Sequence, residues 1–111
     1  MIGTLKQIAG PAYMASSATN IYTPPASTIY TIIRHIHIAN VTASAATFSL
    51  FVGLTGASTG GTQLFGTQSI GANSAFDYYC VRKMLSTDFL VGIASAGSTL
   101  VIDVEGEQVV V

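Results

Sequence analysis

Charge is what this chain has least of. Asp, Glu, Lys and Arg make up 8% of its 111 residues, where an average soluble domain carries about 25%. Four basic residues against five acidic ones leave a net charge of −1. Low charge near neutrality makes a free monomer poorly soluble. The surface must be Ser, Thr, Gly, Ala and Asn, or it must be covered, and the chain reads as a subunit that works packed in an assembly. Its basic residues, Lys6, Arg34, Arg82 and Lys83, are too few to track a phosphate backbone. No direct nucleic-acid partner is expected.

Cysteine is nearly absent too. The single Cys80 excludes an intramolecular disulfide and reads as a small core hydrophobe. Without an even-numbered cysteine framework, a reducing compartment of synthesis is expected. There is no Trp, which weakens any sugar-stacking role. No run approaches the roughly 18 apolar residues of a membrane helix: Ile32–Val41 is interrupted by Arg34, His35 and His37. No membrane partner is expected, and Met1–Gly10, with one Lys and no apolar centre, shows no secretory signal. Sustained helical periodicity is missing as well, and the Thr, Ser, Gly and β-branched content makes poor helix.

What the chain does have is β pattern. Ile21–Thr42, IYTPPASTIYTIIRHIHIANVT, is its organising stretch. A short strand stops at Pro24-Pro25, which cannot donate ladder hydrogen bonds. A β-branched strand then runs from Thr28 to Asn40. Arg34 falls in line with Ile36 under strict alternation, so a β-bulge near 34–35 is expected to re-phase the strand and give Ile33, Ile36 and Ile38 to the core. Thr47–Leu54 alternates with Phe48, Leu50, Val52 and Leu54 inward and Phe51 outward, under a loop or in an interface. Thr55–Gly61 reads as a loop tip, with Thr62–Phe65 and Thr67–Ile70 as short strands split by Gly66. In Ala75–Arg82, Phe76, Tyr78 and Cys80 alternate with Asp77, Tyr79 and Val81. Asp88–Ala94 and Thr99–Glu105 read as the last pair, after which Gly106 turns the chain into its tail. Leu100, Ile102 and Val104 are expected inward.

The expected architecture is therefore all-β: a single antiparallel β-sandwich, jelly-roll or immunoglobulin-like, of about eight short strands with turns every 8–12 residues. One domain is expected, residues 1–20 forming an N-terminal arm or edge strand and 21–111 the sandwich. Gly10-Pro11 reads as a turn, Ala12–Met14 as a short strand, and Ser16–Asn20 as a loop.

Candidate chemistry is sparse. His35 and His37 share a strand face and could ligate zinc if a third ligand came from a neighbouring strand. Nothing near them in sequence supplies one, so a histidine pair on a solvent or interface face is expected, with no metal and no cofactor. Asp103, Glu105 and Glu107 lack calcium-loop spacing and read as a solvated face or as partners for a neighbour's Arg82 and Lys83. Seven of the nine charges lie in 77–111, where polar contacts between subunits are expected. There is no G-x-S-x-G elbow and no phosphate-cradling loop; no enzymatic activity is expected. The interface residues proposed from sequence are Phe51, Tyr79, Arg82, Lys83 and Leu5.

The order Tyr22-Thr23-Pro24, Ile32-Ile33-Arg34-His35-Ile36-His37-Ile38-Ala39-Asn40, Ala46-Thr47-Phe48-Ser49-Leu50 resembles small β-sandwich virion proteins of tailed bacteriophages. Asp88-x-Leu90, Ala94 and Val104-Glu105-Gly106-Glu107 are similar to their later parts, so the resemblance covers most of 20–108. Pro25 departs from the pattern, which has a small residue and then Gly. The resemblance implies a structural virion protein: a head decoration (cement) protein bridging subunits of the major capsid (shell) protein, or a tail or head–tail component. It further implies a homo-oligomer, commonly a trimer, assembled into the virion in the host bacterial cytoplasm. Two other readings stay open: a receptor- or carbohydrate-binding module using Tyr78, Tyr79 and Phe51, and a cupin-like metal enzyme using His35 and His37.

Overall fold

The structure, a computed structural model, describes residues 4–54 and 63–110. The described residues form eight strands: β1 (Thr4–Tyr13), β2 (Thr19–Tyr22), β3 (Thr28–Asn40), β4 (Ala46–Leu54), β5 (Gln63–Ile70), β6 (Ala75–Leu85), β7 (Asp88–Ala94) and β8 (Leu100–Val110). They build two four-stranded antiparallel sheets, β1-β8-β3-β6 and β2-β7-β4-β5. That order, with first strand beside last and each successive pair nested inside, is the jelly roll rather than the immunoglobulin topology.

The two sheets enclose the core between them. Ile33, Ile36 and Ile38 of β3 are fully buried, as the re-phased strand requires. The bulge lies where the charge pattern placed it: both ladders of β3 shift register between Ile33 and His35. Leu50 and Leu90 come in from the second sheet, and Leu100, Ile102 and Val104 from β8. Burying each such side chain contributes about 1.5–3 kcal/mol. Where edge strands β5 and β6 face each other, aromatics close the gap. Phe65 meets Phe76 at 5.4 Å and Tyr78 at 4.8 Å, both edge-on, the favoured aromatic geometry. Tyr78 is thus a half-buried wall residue.

Several expectations are corrected. Asp88–Ala94 and the following strand do not pair: β7 lies in one sheet, β8 in the other. Among the described strands only β4 and β5 are both sequential and hydrogen-bonded; the jelly roll pairs strands distant in sequence, which local turn signals cannot report. Gly10-Pro11 is no turn but lies inside β1, at a bulge between Ala9 and Ala12. An edge strand accommodates proline there. Gly106 does not end β8. It sits opposite both Lys6 and Ile33, where the Arg34 bulge presses the β3 backbone so close that a Cβ would collide with the Ile32 carbonyl. Gly66 leaves β5 unbroken as part of a further bulge, with Thr67 at a φ of 49°. Thr19 and Asn20 belong to β2, so the strand starts just before the expected boundary at 21. The Thr55–Gly61 loop tip lies outside the described residues.

Phe51 is the correction that matters for function. It does sit on the outer side of β4, opposite Val91 of β7. Yet it is only 6% exposed and Val91 only 1%. The outer face of the second sheet is covered at this point, so Phe51 is a packing residue of the monomer and presents no free anchor to a partner.

Candidate site on the outer face of the first sheet

The first sheet turns its other face outward, and there alternation brings most of the charge together. Past the bulge, β3 presents His35 and His37 outward. In register, His35 lies between Tyr79 of β6 and Glu105 of β8, and His37 between Asp77 and Asp103. Four strands thus contribute to one surface, since Gln7 of β1 donates a side-chain hydrogen bond to Asp103 at 2.9 Å.

Asp77 is the hub. Its Oδ1 accepts from His37 Nδ1 at 2.6 Å and from His35 Nε2 at 2.8 Å. The remaining nitrogen of His35, Nδ1, donates to Glu105 Oε1 at 3.2 Å. The His35 ring lies parallel to Tyr79, centroids 4.2 Å apart and planes 1° off. Burial of the His35 ring opposes its charge, but the hydrogen bonds and charges of Asp77 and Glu105 outweigh it and raise the pKa above 6.5. Asp77 moves the other way, below 3.8, held down first by its hydrogen bond from His37 and then by that from His35. Carboxylates and imidazoles stabilise each other's charged forms.

Beside this cluster, Arg34 Nη1 reaches Glu107 Oε2 at 2.5 Å. The acidic run on β8 therefore finds partners on its own sheet, in Arg34, His35 and Gln7. An open depression of about 460 Å³ lies here, lined by Leu5, Arg34, Tyr79, Val81, Glu105 and Glu107 among others.

Of the interface residues proposed from sequence, the fold brings Leu5 and Tyr79 to this depression. Arg82 and Lys83 lie exposed further along β6, Lys83 with its ammonium 4.7 Å from the Tyr30 ring centre. Phe51 is on the other sheet. Cys80 points inward from β6, its thiol donating to the Ile33 carbonyl at 3.3 Å. Burial pushes its pKa up, which disfavours the thiolate.

Val81 and Asp77 were not singled out as site residues by sequence, and Glu105 was weighed only with Asp103 and Glu107 as an acidic run. The alternation around Asp77-Tyr78-Tyr79 put Asp77 and Tyr79 on the outer face, but a separation of 42 residues from His35 hid the encounter. Chemically, the cluster can share protons among two imidazoles and two carboxylates. It is also a group of three metal-donor side chains, His35, His37 and Asp77, whose donor atoms lie within 4.8 Å of one another.

The described residues thus form an eight-stranded jelly-roll sandwich bearing a charged, aromatic-edged outer sheet. Comparison with protein-family models, with curated proteins and with solved structures finds no match to this chain.

Proposed function

We propose that this protein is a non-enzymatic structural subunit of a virion, a capsid decoration (cement) protein that bridges subunits of the major shell protein. The observation that carries the reading is an apolar surface set on one sheet face: Leu5, Tyr79 and Val81 are 69%, 73% and 75% exposed around one depression. A chain with 8% charged residues has little polar surface to spare, and clustered exposed apolar groups mark interaction sites. The jelly roll is an architecture that capsid proteins share with lectins and cupins, so the fold permits the role without assigning it. The sequence resemblance to phage virion sandwiches supports this role, and with it a homo-oligomer carried in the particle.

In this role the outer face of the first sheet packs against the shell or a second copy. Each Å² of apolar surface removed from water contributes roughly 25 cal/mol. Repetition over a lattice turns a small gain per contact into resistance to internal pressure. A tail or head–tail location uses the same surface at a lower copy number. A sugar-binding role is favoured by one observation, the exposed Tyr79 ring beside Arg34 and Glu105.

Quantitative mass spectrometry of purified particles tests the proposal. A copy number on the scale of the shell lattice supports decoration; a single ring's worth moves the protein to the neck or tail. Absence from particles, or retention by a glycan array in place of shell binding, overturns it. A Tyr79→Ser/Val81→Ser double variant should remain folded and lose shell binding.

A further inference from the structure

We propose that His35, His37 and Asp77 form a binding site for a divalent transition-metal ion, with zinc as the ion their donors fit best. The inference is independent of the virion role and rests on how the three side chains converge.

Two imidazoles and one carboxylate are a donor set suited to zinc, which takes nitrogen at about 2.0–2.1 Å and carboxylate oxygen at about 2.0–2.2 Å. Calcium and magnesium prefer all-oxygen shells. The His-x-His spacing on β3 puts two donors on one sheet face, and the β3–β6 register sets Asp77 directly opposite His37. Asp77 Oδ1 already lies 2.8 Å from His35 Nε2 and 2.6 Å from His37 Nδ1. Donors around a tetrahedral zinc stand roughly 3.3 Å apart, as those bond lengths require. The donor set spans 4.8 Å, the separation of the two imidazole nitrogens, so an ion needs the carboxylate to draw back by under about 1 Å and the two rings to turn toward each other by about 1.5 Å.

A second, independent feature points the same way. His35 directs its other nitrogen to Glu105, the carboxylate–histidine pairing that fixes ring orientation and raises the basicity of a metal-bound imidazole. Tyr79 stacked flat on His35 holds the same ring from one side. All three donors stand on paired strands rather than on loops, which gives a site positional precision. The ion would replace the protons now carried along the Asp77 hydrogen bonds, so binding releases protons to solvent. The side chains of His37 and Asp77 are 40% exposed, so the fourth coordination position faces solvent.

Zinc chloride titrated by calorimetry into the EDTA-dialysed full chain at neutral pH tests the site. The expected result is one equivalent per chain, with a rise in the thermal midpoint. His37→Ala and Asp77→Asn should abolish that binding. Glu105→Gln should keep the stoichiometry but weaken affinity about 10–100-fold. Circular dichroism establishes that each variant is folded, and the visible spectrum of the cobalt-substituted protein reports low coordination number directly. No heat of binding at sub-millimolar zinc overturns the proposal. So does binding that His37→Ala and Asp77→Asn leave unchanged in folded protein.

Discussion

Tyr22 and Thr31 share a buried hydrogen bond, 2.8 Å from phenol oxygen to hydroxyl, although they belong to facing sheets. Gln108 extends the connection, its amide donating to Tyr22 at 3.3 Å and to Thr28 at 3.0 Å. Lys6 then donates to the Gln108 carbonyl oxygen at 2.7 Å. One polar chain thus ties β2, β3, β8 and β1 together at one end of a largely apolar interior. Tyr22→Phe leaves buried partners short of a hydrogen bond and should cost about 1–2 kcal/mol in urea denaturation. Tyr22→Phe combined with Thr31→Val should cost less than the sum of the two, because they remove the same bond.

Asn40 closes β3 by stitching it to neighbouring turns. Its amide nitrogen is directed at the carbonyls of Ser44 (2.8 Å), Ile70 (3.1 Å) and Gly71 (3.2 Å). Its carbonyl oxygen accepts from the Thr42 backbone and hydroxyl. Asn40→Ala should lose about 3 kcal/mol, the cost of orphaned buried polar groups. Asn40→Asp should lose more despite its matching shape, because a carboxylate would face three carbonyls. Equal losses in chemical denaturation would show that the amide donations are not what matters.

Gly106→Ala tests the close approach of β3 and β8. A methyl group there meets the Ile32 carbonyl and the Ile33 Cα, neither of which can move alone. A cost of about 1–3 kcal/mol, typical of overpacking, should appear as a lower thermal midpoint.

The outer-sheet cluster should give the metal-free protein a pH-dependent stability, measured with a chelator present. His35 has a folded pKa above 6.5, so its contribution is complete below that value and is lost as pH rises through the folded pKa. Asp77 has a folded pKa below 3.8; its contribution is present above 3.8 and is lost as pH falls through the lowered value. The gap in denaturation midpoint between wild type and Asp77→Asn should therefore be widest between 3.8 and 6.5. It should narrow on both sides. The other charges nearby, Glu105, Asp103, Arg34 and Glu107, are common to both proteins. A gap that is flat with pH would contradict the coupling.

Phe51→Ser separates a packing role from an interface role. A buried phenylalanine replaced by a small residue should cost about 3–5 kcal/mol of monomer stability. An exposed interface residue would leave stability unchanged and alter only assembly. Thermal denaturation and light scattering on the same sample distinguish the two.

How much of this was readable beforehand depends on the range of the interaction. Alternation is local, with a period of two residues, so the faces of β3, β6 and β8 followed from the sequence, as did the Arg34 bulge. Ile33, Ile36 and Ile38 in the core, and Asp77 with Tyr79 on the outer side, needed no partner strand to be assigned. Glycine and proline misled because they mark close backbone approach and edge position as well as turns. Gly106 and Gly10-Pro11 serve those other purposes here.

The sequence by itself therefore determined most of the strands, most of their inward faces, and a composition poor in charge. Strand order was decided only in three dimensions, because β1 finds β8 and β3 finds β6 across long stretches of chain with no local signal. The encounter of His35 and His37 with Asp77 and Glu105 depends wholly on that order. The burial of Phe51, which alternation alone would leave in solvent, likewise shows only in the tertiary structure. A residue's side of the sheet is a property of its own strand; what it meets there belongs to the tertiary fold.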